Sequence, residues 1–115
     1  MTNKIANKDA SQYVNKCEEF KGSNTFAEMN INEYYKEKAN LYVVYSYGRH
    51  FPMYVYDYTT REWYANSDKY SPTTSKHQSQ CRPSSEIARE FNTADLKKLI
   101  DRGGLTEWVK WKAVA

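Results

Sequence analysis

The strongest β-forming pattern in the chain lies between residues 41 and 58 and predicts a hairpin. Leu41 to Tyr47 reads LYVVYSY and Phe51 to Tyr58 reads FPMYVYDY, and both runs are rich in β-branched and aromatic residues. Gly48-Arg49-His50 between the two runs is the predicted turn. Alternation of side chains along each strand places apolar bulk on both of its faces.

A third strand is predicted at Glu62 to Ala65, after a turn at Asp57 to Arg61. The predicted fold class is α+β, a small antiparallel β-meander of about three strands packed with several short helices. A chain of 115 residues is long enough for one core and too short for two, so we expect a single globular domain over residues 1–115. At this size a partner or self-association as a homo-oligomer can complete the core.

Helical spacing predicts the N-terminal element. Tyr13, Cys17 and Phe20 recur at i, i+4 and i+7 and predict a helix over Asp9 to Lys21, ended by Gly22. The polar residues of this stretch lie mostly off that stripe. A stripe of this kind is typical of core packing rather than of a site.

The residues that follow are predicted to form a loop over 23–29 and a second short helix over Asn30 to Ala39. Asn30 and Glu33 have the spacing of a capping arrangement. The residues predicted to face inward are Ile31, Tyr34 and Tyr35.

Two further helices are predicted in the C-terminal third. Ser84-Ser85-Glu86 is typical of a helix start and would turn Ile87 and Phe91 inward. Thr93 is the predicted cap of a helix over Ala94 to Arg102, which carries an apolar stripe and is ended by Gly103-Gly104. The tail, residues 105–115, fits a strand or a helix, and its type stays open.

The stretch from Ser71 to Pro83, SPTTSKHQSQCRP, is almost without core-forming residues and is the candidate site. Ser71 as N-cap and Pro72 at the first helical position predict a short helix that runs to about Gln80. This helix has no apolar stripe, so it is either a solvated surface element or a ligand-facing one.

The distribution of charged residues predicts that the candidate site is positively charged. The net charge of +3 is too weak to indicate nucleic-acid binding by itself, but no acid occurs between Asp68 and Glu86, so a positive patch is local to residues 69–83. The eleven Tyr residues suit recognition of bases or sugars, and they equally suit half-buried positions on a sheet.

Cysteine usage and hydropathy indicate a cellular compartment. Cys17 and Cys81 have neither a disulfide framework nor the spacing of a zinc site, which predicts free thiols in a reduced cytoplasm. The start of the sequence lacks the apolar run of a signal peptide, and the longest apolar stretch is Leu41 to Tyr45, so no membrane segment is predicted. No metal and no cofactor are predicted.

Two blocks of the chain resemble a known family. YSYGRHFPMYVYD, residues 45–57, and YSPTTSKHQSQCRP, residues 70–83, resemble a family of short uncharacterised proteins encoded by bacteriophages and prophages. The resemblance implies a phage origin and action in the host-cell cytoplasm on a host component or a signalling molecule, and it implies no mechanism. The positions that carry it are Tyr47, Gly48, His50, Pro52, Thr73, Thr74, Ser75, His77, Gln78 and Arg82.

The first functional hypothesis is a small binding protein that captures a phosphate-bearing ligand, either a nucleotide-type signal or nucleic acid, to counter host defence. Hydroxyl groups at a helix N-terminus form a natural anion cradle, Lys76 and Arg82 add positive charge, and neighbouring aromatic rings can stack on a base. The predicted ligand-binding residues are Thr73, Thr74, Ser75, Lys76, His77, Gln78, Arg82, His50 and Tyr47.

Two alternatives stay open. A protein-docking inhibitor of a host enzyme would use exposed Tyr and Trp residues as anchors. A small enzyme would use His50 and His77 as acid and base, with Cys81 one helical turn beyond His77. No residue is assigned a catalytic role.

Overall fold

A mixed sheet of seven strands organises the chain in the computed structural model, which describes residues 3–31, 39–69, 71–106, 108 and 109. The order of the strands in the sheet is their order in the chain. The strands are β1 (Asn3–Lys4), β2 (Phe20–Lys21), β3 (Thr25–Ile31), β4 (Ala39–Ser46), β5 (Pro52–Asp57), β6 (Glu62–Asn66) and β7 (Ile87–Phe91). The helices include α1 (Ala10–Val14), α2 (Pro72–Cys81) and α3 (Thr93–Asp101).

The predicted hairpin and third strand are confirmed as β4, β5 and β6, but the prediction of about three strands is wrong. Four more strands extend the sheet at its two edges. The pairs from β2 to β6 are antiparallel, whereas β1–β2 and β6–β7 are parallel, so the sheet is mixed. The added strands are short or polar and lack the apolar runs that mark the central ones. The broader α+β class holds.

The helix predicted over Asp9 to Lys21 is wrong beyond its first turn. A 3₁₀ turn at Asn7–Asp9 leads into α1, which ends at Val14. Cys17 has a φ of +52°, a left-handed conformation that a right-handed helix cannot continue. The chain therefore reverses, and the next buried aromatic residue, Phe20, enters β2.

The loop predicted over 23–29 and the helix predicted over 30–39 are wrong where the structure describes them. Residues 25–31 form β3 antiparallel to β4, and Ala39 begins β4. Residues 32–38 lie outside the described residues. The missed signal is the alternation of side chains that is typical of a strand. Phe26 and Ala27, which are adjacent in the chain, pack on opposite faces of the sheet.

The helix predicted from Ser84 is also wrong, because residues 87–91 form β7, parallel to β6. A register shift between Trp63 and Tyr64 lets Ile87 and Phe91 pack against opposite faces of the sheet. A spacing of i, i+4 fits a helical stripe equally well, so the pattern alone could not distinguish the two. Helix α2 is thus the connection between two parallel strands.

Helices cover both faces of the sheet, and each face has its own core cluster. The first cluster lies under α1 and α2 and includes Val14, Phe20, Tyr42, Val44, Met53, Tyr54, Trp63 and Cys81. The second lies under α3 and includes Leu41, Val43, Tyr45, Val55, Tyr64, Leu96, Leu99 and Trp108. The predicted alternation along β4 is confirmed. Met53 and its neighbour Tyr54 pack in the same cluster, because the register shifts beside them.

The predicted C-terminal helix is confirmed as α3, with its start one residue earlier. Asn92, and not Thr93, is the N-cap, and its side chain accepts a hydrogen bond of 2.8 Å from the Asp95 N–H. After α3, Gly104 has a φ of +135° and lies against Asp57, whose Oδ2 accepts the Leu105 N–H at 2.9 Å. In the tail, residues 105, 106, 108 and 109 are helical, and the remainder lies outside the described residues.

Candidate functional site

Helix α2 begins as the sequence predicts. The Ser71 hydroxyl caps it by accepting the Thr74 N–H at 3.1 Å, and Pro72 occupies the first turn. These contacts weaken the predicted anion cradle, because Pro72 has no N–H and the Thr74 N–H is already used. In the first turn Thr73 is left as the main backbone donor for an anion.

The inner face of α2 is buried, although it is polar. Thr74, His77, Gln78 and Cys81 are all buried, at i, i+3, i+4 and i+7 of one helix face. The expectation that this segment offers little to the core is therefore wrong. Three of these four side chains are polar, and buried polar groups are stable only with hydrogen-bond partners.

His77 has its partner on β4. Its Nδ1 lies 2.7 Å from the Ser46 hydroxyl oxygen, and its ring centroid lies 5.2 Å from that of Tyr47. Ser46 is 1% exposed and His77 3% exposed. Two blocks of sequence 31 residues apart are joined at this point.

Gln78 ties the chain between β6 and α2 to the helix. Its Nε2 donates to the carbonyl oxygens of Asn66 and Asp68 at 3.4 and 3.1 Å, and its Oε1 accepts from Lys69 Nζ at 3.2 Å. The Gln78 carbonyl oxygen accepts the Tyr54 hydroxyl at 2.6 Å. The role of this residue is to hold the fold, and a ligand could not reach its amide.

The remaining predicted site residues lie outside. Thr73, Lys76, Arg82 and His50 are exposed, Ser75 is half-buried, and Tyr47 is 56% exposed in a left-handed backbone conformation. We call the exposed group Tyr47, His50, Thr73, Lys76 and Arg82 the α2 surface. Contact of Tyr47 with His77 places the 47–50 turn beside α2.

Arg82 and Lys76, the two cations of the α2 surface, interact with different titratable groups. Burial raises the pKa of the Tyr54 hydroxyl to about 12; Arg82 beside it acts in the opposite direction, and Glu90 on β7 raises it further. Arg82 and Glu90 therefore act on the same hydroxyl with opposite signs, whereas Lys76 acts on His77. Arg49, in the same turn as Tyr47, is held by Glu28 in two bonds of 2.7 and 2.8 Å.

The Ser46–His77 pair has the spacing of a nucleophile and its general base. Burial and the positive charge of Lys76 lower the pKa of His77, which keeps the imidazole neutral. Both side chains are nevertheless buried, so a substrate cannot approach the hydroxyl oxygen. Burial likewise raises the pKa of Cys81 to about 12, which keeps its thiol protonated and unreactive.

Sequence reasoning missed three residues that build this region, Ser46, Tyr54 and Asn66. Each lies on a strand and acts through a hydrogen bond to a distant segment; the Asn66 amide, for example, donates to the Pro52 carbonyl and to Thr93 Oγ1 at 2.8 and 3.0 Å. A hydroxyl or amide at an inward strand position is a weak signal of such pairing.

Three surface clefts that described residues line lie away from α2. One, of 310 Å³, lies between β3, β4 and α3, and another, of 320 Å³, lies over β2 and β3, and both include Glu28 and Arg49. The third, of 490 Å³, lies over Tyr56 and Trp63. The residues that line these clefts do not include those of α2, so the α2 surface is not part of any of them.

Comparisons with protein-family models, with curated proteins and with solved structures gave no match to this chain. Within the described residues, no helix combines the length and apolar character needed to cross a membrane. The same residues bring no three His, Cys, Asp or Glu side chains together as a metal site would require.

Proposed function

We propose that this chain is a small binding protein whose α2 surface contacts a phosphate-bearing ligand. The observation that carries the proposal is the meeting of the 45–50 and 71–82 segments at His77, which places exposed Tyr47 beside the acid-free, basic α2. An exposed aromatic ring beside a helix that carries exposed cations suits a ligand with both a base and a phosphate.

The inner and outer sides of α2 have separate roles in this proposal. The buried side, with His77 and Gln78, fixes the helix against the sheet. The outer side presents Lys76 and Arg82 on a helix that does not need to reorganise when a ligand arrives. A rigid support of this kind reduces the entropy lost on binding.

We further propose, from the resemblance of the two sequence blocks to phage and prophage proteins, that the protein acts in the cytoplasm of a bacterial host. A signalling nucleotide or a nucleic acid of the host fits both the phosphate-binding surface and the host cytoplasm. Binding by this protein would sequester it. No catalytic step is part of this proposal.

Binding measurements test the proposal directly. A nucleoside triphosphate, a cyclic dinucleotide and a short single-stranded DNA are titrated by calorimetry against the full chain and against Lys76→Ala, Arg82→Ala and Lys98→Ala. Lys98 is exposed on α3, on the opposite face of the sheet, and serves as the matched control. We expect at least one probe to bind, with a loss of about 1–3 kcal/mol in the first two variants and none in the control. Equal affinity in all four proteins contradicts the proposal.

A second candidate function is docking on a host protein. It is favoured by the 56% exposure of Tyr47, because an exposed aromatic side chain can act as an anchor in a protein interface. Tyr47→Ala would then abolish capture of the host protein, whereas Lys76→Ala would not.

A further inference from the structure

The largest of the three clefts lies on the opposite side of the β5–β6 pair from α3. Its floor is the half-buried Tyr56 ring. Trp63, its direct cross-strand partner, is 5% exposed and supports that ring at a centroid distance of 5.2 Å and an angle of 56°. Its volume of 490 Å³ falls within the range of small-molecule sites. We call it the Tyr56 cleft.

Both sides of the Tyr56 cleft are held in place. Tyr58 packs edge-on against Tyr56 at 5.0 Å, and Tyr42 packs edge-on against Trp63 at 6.2 Å. The segment before β7 is fixed at Ser84, whose N–H donates to Asn15 Oδ1 at 2.7 Å. The aromatic floor of the cleft therefore lies on strands, while Arg61, Ser85 and Glu86 lie on the short segments that lead into β6 and β7.

The polar lining of the cleft combines donors and acceptors of both signs. Arg61 supplies a guanidinium, Ser85 a hydroxyl, and Glu62 and Glu86 supply carboxylates. A phosphate-bearing ligand would face two carboxylates, and a cation would face the guanidinium. A neutral polyol has hydroxyl groups that both donate and accept, and so can use all three kinds of group.

We propose that the Tyr56 cleft binds a neutral saccharide, with one face of the sugar ring on the half-buried Tyr56 ring. The C–H face of a sugar is apolar enough to pack on an aromatic ring, while its hydroxyls reach the polar lining. Since none of the cleft residues belongs to α2, this proposal and the phosphate-binding proposal can fail independently.

The experiment titrates glucose, N-acetylglucosamine and maltose into the full chain, followed by tryptophan fluorescence and saturation-transfer NMR. The variants are Tyr56→Leu, which removes the aromatic floor, and Glu86→Gln, which keeps size and removes the charge. Glu90→Gln is the matched control, because Glu90 is exposed on β7 and does not line the cleft. Thermal melts establish that each variant is folded.

We expect at least one sugar to bind with a Kd of about a millimolar. Affinity should fall about three- to tenfold in Tyr56→Leu and about fivefold in Glu86→Gln, and should not change in Glu90→Gln. If Tyr56→Leu does not fold, Glu86→Gln decides the question alone. The proposal is overturned if no sugar binds at about fifty times that concentration, if both variants bind as the parent does, or if glucose 6-phosphate or arginine binds more tightly than glucose.

Discussion

The Nδ1 atom of His77 lies 2.7 Å from the hydroxyl oxygen of Ser46, and both side chains are sealed between α2 and the sheet. This bond joins the helix to the last residue of β4, directly before the turn that carries Tyr47. The position of the α2 surface therefore depends on a buried histidine that a ligand does not touch.

Replacement of His77 tests that dependence. His77→Ala leaves the buried Ser46 hydroxyl without this partner and opens a cavity, so we expect unfolding to become easier by about 2–4 kcal/mol. Arg82→Ala, at an exposed position, should lower the free energy of unfolding by no more than about 1 kcal/mol, because the Tyr54 hydroxyl that Arg82 contacts keeps its bond to the Gln78 carbonyl. Urea titrations measure both. Equal effects of the two substitutions would show that α2 does not divide into a buried and an exposed side.

The same histidine gives the fold a pH dependence. Its pKa in the folded state is lowered from 6.5, chiefly by burial, so the unfolded chain binds a proton more readily than the folded one does. Stability from this residue is fully present above pH 6.5 and is lost as the pH falls from 6.5 towards the lowered folded value. Melting temperatures between about pH 5 and about pH 8 should fall on the acid side, a range in which carboxylates stay ionised.

Two variants separate His77 from other groups in that experiment. His77→Gln, which keeps a hydrogen-bonding group, should flatten the pH dependence between pH 6.5 and the lowered folded value. His50→Gln, at an exposed position, should leave it unchanged. A parental pH profile that persists in His77→Gln would assign the effect to another residue.

The central elements could be predicted from sequence because their local patterns and their packing agree. Leu41 to Tyr47 is β-forming by composition, and its alternating residues do pack on two clusters. The stripe Leu96, Leu99 and Ile100 is likewise both helical in spacing and buried in α3. Ser71 and Pro72 gave the start of α2 through capping chemistry alone.

The edges of the sheet could not be predicted, because tertiary pairing decides them. Phe20 and Lys21 form a strand only by lying between β1 and β3, and nothing local excludes the helix that their spacing suggests. The candidate site was only partly predictable for the same reason. The sequence predicted that His77 belongs to the site because of its residue type. Only its long-range bond to Ser46 shows that it is a buried support of the α2 surface.

Gly104 is required by its contact with Asp57. A Cβ added at Gly104 would lie 2.8 Å from Asp57 Oδ2, at a φ of +135° that residues other than glycine rarely adopt. The Asp57 side chain is buried and also accepts the Thr59 N–H at 2.9 Å, so it cannot easily move. We expect Gly104→Ala to cost about 1–3 kcal/mol of folding free energy. An unchanged urea midpoint would contradict this account.

The two cysteines are free thiols, as the sequence predicts, and should differ in reactivity. Cys81 is fully buried on the inner face of α2, and burial raises its pKa to about 12, whereas Cys17 is only half-buried. With a thiol reagent in native buffer we expect Cys17 to react first and Cys81 to react only on the timescale of unfolding. In denaturant without reductant both should titrate. Fast modification of Cys81 in the native protein would show that α2 opens readily.

Salt dependence distinguishes the kinds of ligand that the α2 surface could take. An anionic ligand should bind less tightly as salt rises, because Lys76 and Arg82 contribute charge that salt screens. A nucleic-acid polymer gives a slope of log affinity against log salt that grows with the number of phosphates neutralised, whereas a single nucleotide gives a shallow one. The positive interval of the sequence contains only Lys69, Lys76 and Arg82, and Lys69 is already bonded to Gln78, so we expect the shallow case. Affinities across a salt series, repeated with Lys76→Ala and with the Lys98→Ala control, measure the slope. A flat series with no loss in Lys76→Ala would favour docking on a host protein through Tyr47, because an aromatic anchor in an interface is insensitive to salt.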